Sequence, residues 1–196
     1  MSVVGIDVGA RRFHLARLTP HDTKLVIDVV TTVDEAVARC AGATAIAIDA
    51  PSEPATGRVH DGDHSPKFAV ARCNEIAAGE QLGIWVPWVT PMRDEAPGWM
   101  LAGFALRDGL RAAGHEPIEV YPAGCFWLLN GRRWPPRKTT PQGRAARAAL
   151  LGMPELADRS HDEIDAVMAA LVARGPSRAV GHTDDGCDRS TIHVLA

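Results

Sequence analysis

Three stretches of this sequence place carboxylates where an apolar segment has little structural use for them. VVGID ends in Asp7, AIAID ends in Asp49, and SHDEIDAVMAALVA carries Asp162 and Asp165 into a run of alanine, valine and leucine. An acid after a strand also caps the turn that follows, and acids in a first helical turn complement the helix dipole. Those roles suit Asp162 and Glu163. They suit Asp165 less well, since it stands a turn further in with apolar neighbours on both sides. Carboxylates gathered in one place repel one another unless a cation holds them, and Mg2+ favours oxygen ligands while keeping several waters. Two such ions about 3.5–4 Å apart activate a water and stabilise the leaving oxygen in phosphodiester cleavage. The chemistry implied is metal-assisted hydrolysis, with Asp7, Asp49 and Asp165 as ligands to Mg2+ or Mn2+ and Asp162 as an auxiliary acid.

These acids need elements to bring them together. Residues 3–8, 13–18 and 25–30 read as strands joined by short turns, one of them at Pro20-His21-Asp22, which predicts an antiparallel meander. Residues 32–35 (TVDE) spell a capping box, opening a short helix to residue 40. Residues 43–48 form a continuous apolar strand, the pattern of one covered on both faces. A loop rich in Gly, Pro, His and Asp (52–66) precedes a helix over 68–79 and an extended piece over 83–89. A long helix follows, with Pro97 in its first position and its end at Ala113. Then come a strand over 118–121, a basic helix over 142–151, and a last helix starting at His161 behind the box of Ser160 and Glu163. One more strand is expected in the tail, within 179–196.

The fold class predicted is α/β: a mixed sheet of a three-strand meander plus parallel strands, with helices on both faces. In open α/β sheets, ligands sit beyond the carboxyl ends of strands. If the first and fourth strands are parallel neighbours, Asp7 and Asp49 stand side by side at such an edge. On the last helix Ile164, Val167, Met168 and Leu171 line one face, and Ala166, Ala169 and Ala173 another. Asp162 and Asp165 flank the alanine face, whose small side chains permit a close approach to the sheet.

Length and composition bound the rest. A chain of 196 residues, 46% apolar and 23% charged, reads as one globular domain over residues 1–196, with a basic insertion around 131–147. No apolar run approaches the ~18–20 residues of a membrane span, and the N-terminus lacks the pattern of a signal peptide. Cys40, Cys73, Cys125 and Cys187 lie far apart without a C-x-x-C pair. They read as reduced thiols, so the expected setting is cytoplasmic, with no membrane partner. Oligomeric state is left open, a homodimer among the options.

The formal charge of −3 hides an asymmetry. Between Glu119 and Glu155 no acid occurs, while Arg132, Arg133, Arg137, Lys138, Arg144 and Arg147 contribute six positive charges. Trp134 lies among them. A basic stretch with an aromatic side chain is a footprint for a phosphate backbone and a stacked base. Nucleic acid, DNA or RNA, is therefore the expected partner; six contacts to a duplex would give a log–log salt slope no steeper than about −5. The His60-Asp-Gly-Asp-His64 cluster reads as polar loop surface. His161, beside Asp162, is a first-turn helix residue that could assist proton transfer.

GID at Asp7, IAIDAP at Asp49 and HDEIDA at Asp162 and Asp165 together resemble the ribonuclease H-like superfamily. The last motif is also similar to the final helix of RuvC-type Holliday-junction resolvases. The chain further resembles the DUF429 family, through AIAIDAPSEP, ARCNEIAAGEQLGIWVP, IEVYPAGCFWLLNG, RKTTPQGRAARAALLGM and HDEIDAVMAALVA. That resemblance implies an RNase H-like fold, a predicted nuclease activity with two metal ions, and Arg72 and Glu75 facing the site. The tail DDGCDRSTIHVLA departs from the aromatic ending of relatives. Two rival functions stand beside the nuclease. GIDVG also resembles the phosphate loop of actin-like and sugar-kinase ATPases, which need a second lobe. The other rival is a nucleic-acid-binding module that keeps the fold without activity.

Overall fold

The computed structural model describes residues 2–19, 25–57, 68–84, 89–180 and 191–196. Among these residues seven strands form one sheet: β1 (Ser2–Val8), β2 (Phe13–Leu18), β3 (Leu25–Val30), β4 (Ala43–Asp49), β5 (Ile118–Val120), β6 (Ser177–Val180) and β7 (Ile192–Leu195). Their order across the sheet is β3-β2-β1-β4-β5-β7-β6. The first three pair antiparallel as the expected meander, and β4, β5 and β7 continue the sheet in parallel with β1. Six α-helices lie among the described residues: α1 (Val33–Arg39), α2 (Cys73–Leu82), α3 (Gly98–Ala112), α4 (Pro122–Leu129), α5 (Pro141–Leu150) and α6 (His161–Arg174). This is the expected α/β mixed sheet, a three-strand meander continued by parallel strands.

Strand alternation divides the core. Val4, Ile6 and Val8 pack with Ile46, Ile48 and the α3 residues Leu106 and Leu110 on one face. On the other, Ala16 and Ala47 join Ala166, Val167, Ala169 and Ala170 of α6. The row beneath α6 is built of the smallest residues available, because Gly5 is register partner to both Ala16 and Ala47. A Cβ added at Gly5 would lie 2.0 Å from the Ala170 nitrogen and 2.2 Å from the Ala166 carbonyl oxygen. The helix therefore rests its backbone almost directly on β1. Asp7, two residues beyond Gly5, faces the same side.

Both capping boxes form: Thr32 with Glu35, and Ser160 with Glu163, so α1 and α6 start where the sequence signals them. Three elements differ from expectation. The helix expected over 68–79 starts only at Cys73, after a turn, because Arg72 and Glu75 set its N-terminus. Helix α4 was not expected; its run of apolar residues has no amphipathic period, since Pro122, Gly124, Cys125 and Phe126 are all buried. The tail contributes two strands, β6 and β7, which pair antiparallel. Cys40 and Cys125 are free and buried, but Cys73 is disulfide-bonded, which overturns the reading of four reduced thiols and weakens its link to a reducing compartment. Among the described residues no helix is long and apolar enough to cross a membrane. The His60–His64 cluster and the Pro20-His21-Asp22 turn lie outside the described residues.

Candidate metal centre

Register alone puts two of the acids together. Asp7 is the Cα partner of Asp49 on β4 and of His14 on β2, so His14, Asp7 and Asp49 form a row across three strands. Helix α6, let in by Gly5, adds Asp165 from above. One carboxylate oxygen from each of Asp7, Asp49 and Asp165 lies within 4.8 Å of the other two. A second group of the same tightness joins Asp7 to His14 and Asp162. Asp7 is common to both. A cavity of about 160 Å3, lined by Asp7, Asp49, Trp99, Lys138 and Asp162, opens onto them.

The electrostatics are those of buried acids crowded together. Burial pushes the Asp7 carboxyl up to about 6, with Asp165 and Asp162 adding repulsion and His14 opposing it. Asp49 is raised well above the ordinary range, by burial first and then by Asp7 and Asp165. His14 Nδ1 stands 3.5 Å from Asp7 Oδ2, and this neighbour raises the imidazole pKa against the effect of burial. Asp165 Oδ1 is buried and accepts no hydrogen bond. A buried carboxylate oxygen without a hydrogen bond, beside two carboxylates destabilised by burial, is a donor set that would fit a hard divalent cation such as Mg2+ or Mn2+.

Asp7 makes a stability prediction. Its folded pKa of about 6 exceeds its ordinary 3.8, so its protonated form stabilises the fold fully below pH ~4, a contribution lost as pH rises through ~6. In EDTA, urea denaturation of Asp7→Asn should show little gain over wild type at pH 4. At pH 8 the variant should be more stable by about 1–3 kcal/mol, since each tenfold change in proton affinity between the folded and unfolded chain corresponds to about 1.4 kcal/mol. A gain equal at both pH values would show that charge is not its cause.

The basic segment divides on folding. Arg132, Arg133 and Arg137 are exposed, as is Trp134. Lys138 turns inward: its Nζ donates to Asp165 Oδ2 at 2.7 Å. Burial opposes its charge, but Asp165, Asp49 and Asp7 outweigh that and hold its pKa above the ordinary value. Arg147 is buried, its guanidinium 4.5 Å from the Phe126 ring centroid and 3.7 Å from Asp165 Oδ1. It backs the acid cluster rather than facing solvent.

Arg72 and Glu75 are buried beside the site, not on a solvated helix face. Arg72 Nη2 donates to Glu119 Oε1 at 2.6 Å and to Glu75 Oε1 at 3.1 Å. The Ser52 and Thr90 backbone N–H groups complete the network, onto Glu119 at 2.7 Å and Glu75 at 3.2 Å. With Asp49 these three charged residues line one small cavity. His14, Glu119 and the inward role of Lys138 were missed by sequence reasoning. A polar second residue in FHLARL was the available signal for His14; nothing local marks which lysine or arginine of a basic run turns inward.

The family model described as "Protein of unknown function (DUF429)" matches residues 89–184, which bears out the resemblance to that family. No curated protein matches the chain. Among solved structures it is similar to Thermus thermophilus RuvC at 18% identity, with TM-score 0.41, covering 87% of this chain and 92% of that one. It is likewise similar to T. thermophilus RuvC in complex with a Holliday junction substrate, at 17% identity and TM-score 0.40, covering 87% and 90%.

Proposed function

From a chain matched by the DUF429 family over 89–184, we propose a metal-dependent nuclease that hydrolyses phosphodiester bonds of nucleic acid. The observation that carries this is the trio of Asp7, Asp49 and Asp165, drawn from two strand ends and a helix to within 4.8 Å. These three would hold Mg2+ or Mn2+, and Asp7 belongs to both groups of candidate ligands. The chemistry such an ion would supply is activation of a water and charge neutralisation at the leaving oxygen. The chain's own groups do the rest. Lys138 places a positive charge at the cavity, and His14 orients the Asp7 carboxylate. Asp162, half-buried at the start of α6, stands beside His14 and Asp7 as the auxiliary acid.

The exposed arginines bring the anionic substrate to an acidic centre. Of the six basic residues, Arg132, Arg133 and Arg137 are exposed, so the expected log–log salt slope for a duplex is no steeper than about −3. Changing all three to Ala should flatten it to near zero; an unchanged slope would return this segment to plain surface. The nuclease reading itself is tested on single-stranded, duplex, hybrid and branched substrates with Mn2+, wild type beside Asp7→Asn. Cleavage by wild type alone supports it, and no cleavage by wild type across the panel overturns it.

A further inference from the structure

The segment between α4 and α5 is neither apolar core nor loose loop. Gly131 and Arg132 both adopt positive φ, 66° and 61°, a conformation that costs a residue with a side chain of order 1–3 kcal/mol. The bend is held by local bonds: Arg132 N–H donates to the Trp127 carbonyl at 2.9 Å, and Asn130 Nδ2 to the Arg133 carbonyl at 2.9 Å. Arg132 Nη1 also donates to the Leu82 carbonyl at 3.3 Å. Directly after this bend stands Trp134, 51% exposed, and then a buried proline, Pro135. The indole of Trp134 rests against that of Trp127, ring centroids 5.0 Å apart and planes at 46°. A large ring is thus braced on one side and open on the other.

Its surroundings say what would cover it. Arg132, Arg133 and Arg137 are exposed on either side in sequence, and residues 120–154 contain no acid. An aromatic face flanked by cations suits a base with its phosphates, because every base offers a π-face while the guanidinium groups neutralise the backbone. The placement suits a substrate passing into the acid cluster. Trp134 lies four residues from Lys138, at most about 14 Å along the chain, and Lys138 reaches Asp165. A base inside an intact duplex keeps both faces stacked on its neighbours, so it cannot use the ring.

We propose that Trp134 is a stacking platform for an unpaired base, making single-stranded or locally unpaired nucleic acid the preferred substrate. This rests on the nucleic-acid part of the function proposed above and not on cleavage. The test therefore measures binding of the full-length chain in EDTA, by fluorescence anisotropy, to labelled oligothymidylate and to a duplex of equal length. Wild type is expected to prefer the single strand. Trp134→Ala should weaken oligothymidylate binding about 5- to 100-fold, the range for loss of one stacked base, and change duplex binding less than twofold. Its salt slope should stay as in wild type, since stacking releases no counterions. Trp134→Phe should retain most of the affinity. Because the side chain is exposed, the Ala variant should fold, which circular dichroism checks. Unchanged single-strand affinity in Trp134→Ala overturns the platform while leaving the nuclease reading standing. The same holds if that variant instead loses self-association, which would make the ring a contact between copies. No nucleic-acid binding by wild type overturns both.

Discussion

Asp7→Asn and Asp165→Asn should each lower Mn2+-dependent cleavage by at least about a hundredfold, yet move stability in opposite directions. The amide keeps the size of the side chain but removes the charge that a cation needs, and a direct ligand should cost more than the 10–100-fold typical of outer-shell partners. At Asp7 the carboxylate is buried, crowded by Asp165 and Asp162, and pushed up to about 6, so losing its charge relieves the fold at neutral pH. Asp165 differs because it is the counter-charge of Lys138 at 2.7 Å and of the buried Arg147 at 3.7 Å. Removing one member of a buried pair leaves the other uncompensated; with Arg147 still stacked on Phe126, the expected cost is up to about 3 kcal/mol. Single-turnover cleavage and urea denaturation of both variants, side by side, check this. Loss of activity that merely tracked loss of stability would remove the ligand role, and Asp7→Asn is the variant that separates the two.

Gly5→Ala is the second large effect, expected to cost at least about 3 kcal/mol and to lower metal affinity together with it. The added methyl would meet backbone atoms of α6 at 2.0, 2.2 and 2.6 Å, and backbone cannot rotate away as a side chain can. Overpacking in a well-packed core commonly costs about 1–3 kcal/mol when side chains absorb it; here the helix itself must lift. Since α6 carries Asp165, the lift would separate that carboxylate from Asp7 and Asp49. Thermal unfolding and Mn2+ titration of the variant test the pair of consequences. A variant of wild-type stability would mean that α6 does not rest on β1 as described. The comparison residue is Gly114: it has positive φ but open space around it, so Gly114→Ala should cost only its backbone strain, about 1 kcal/mol.

The sequence by itself determined the strands of the meander, both capping boxes and the identity of the acids. These are local: β-branched runs, an S-x-x-E or T-x-x-E spacing and a carboxylate after an apolar strand act over a few residues. The start of α6 at His161 and the end of β4 at Asp49 follow from such signals. It also foreshadowed why α6 approaches closely, through Ala166 and Ala169. What only the tertiary structure decided is which groups meet. That Gly5 lies under Ala170, and that His14 stands beside Asp7, depends on register between strands distant in the chain. The fate of the basic run was likewise beyond local reading. Arg132, Arg133 and Arg137 stay exposed, while Lys138 and Arg147 turn toward Asp165. Composition gives all five the same charge, and only packing against α6 and Phe126 separates them. A buried carboxylate recruits whichever cation the backbone can deliver within a few ångströms, and that delivery is a property of the folded chain.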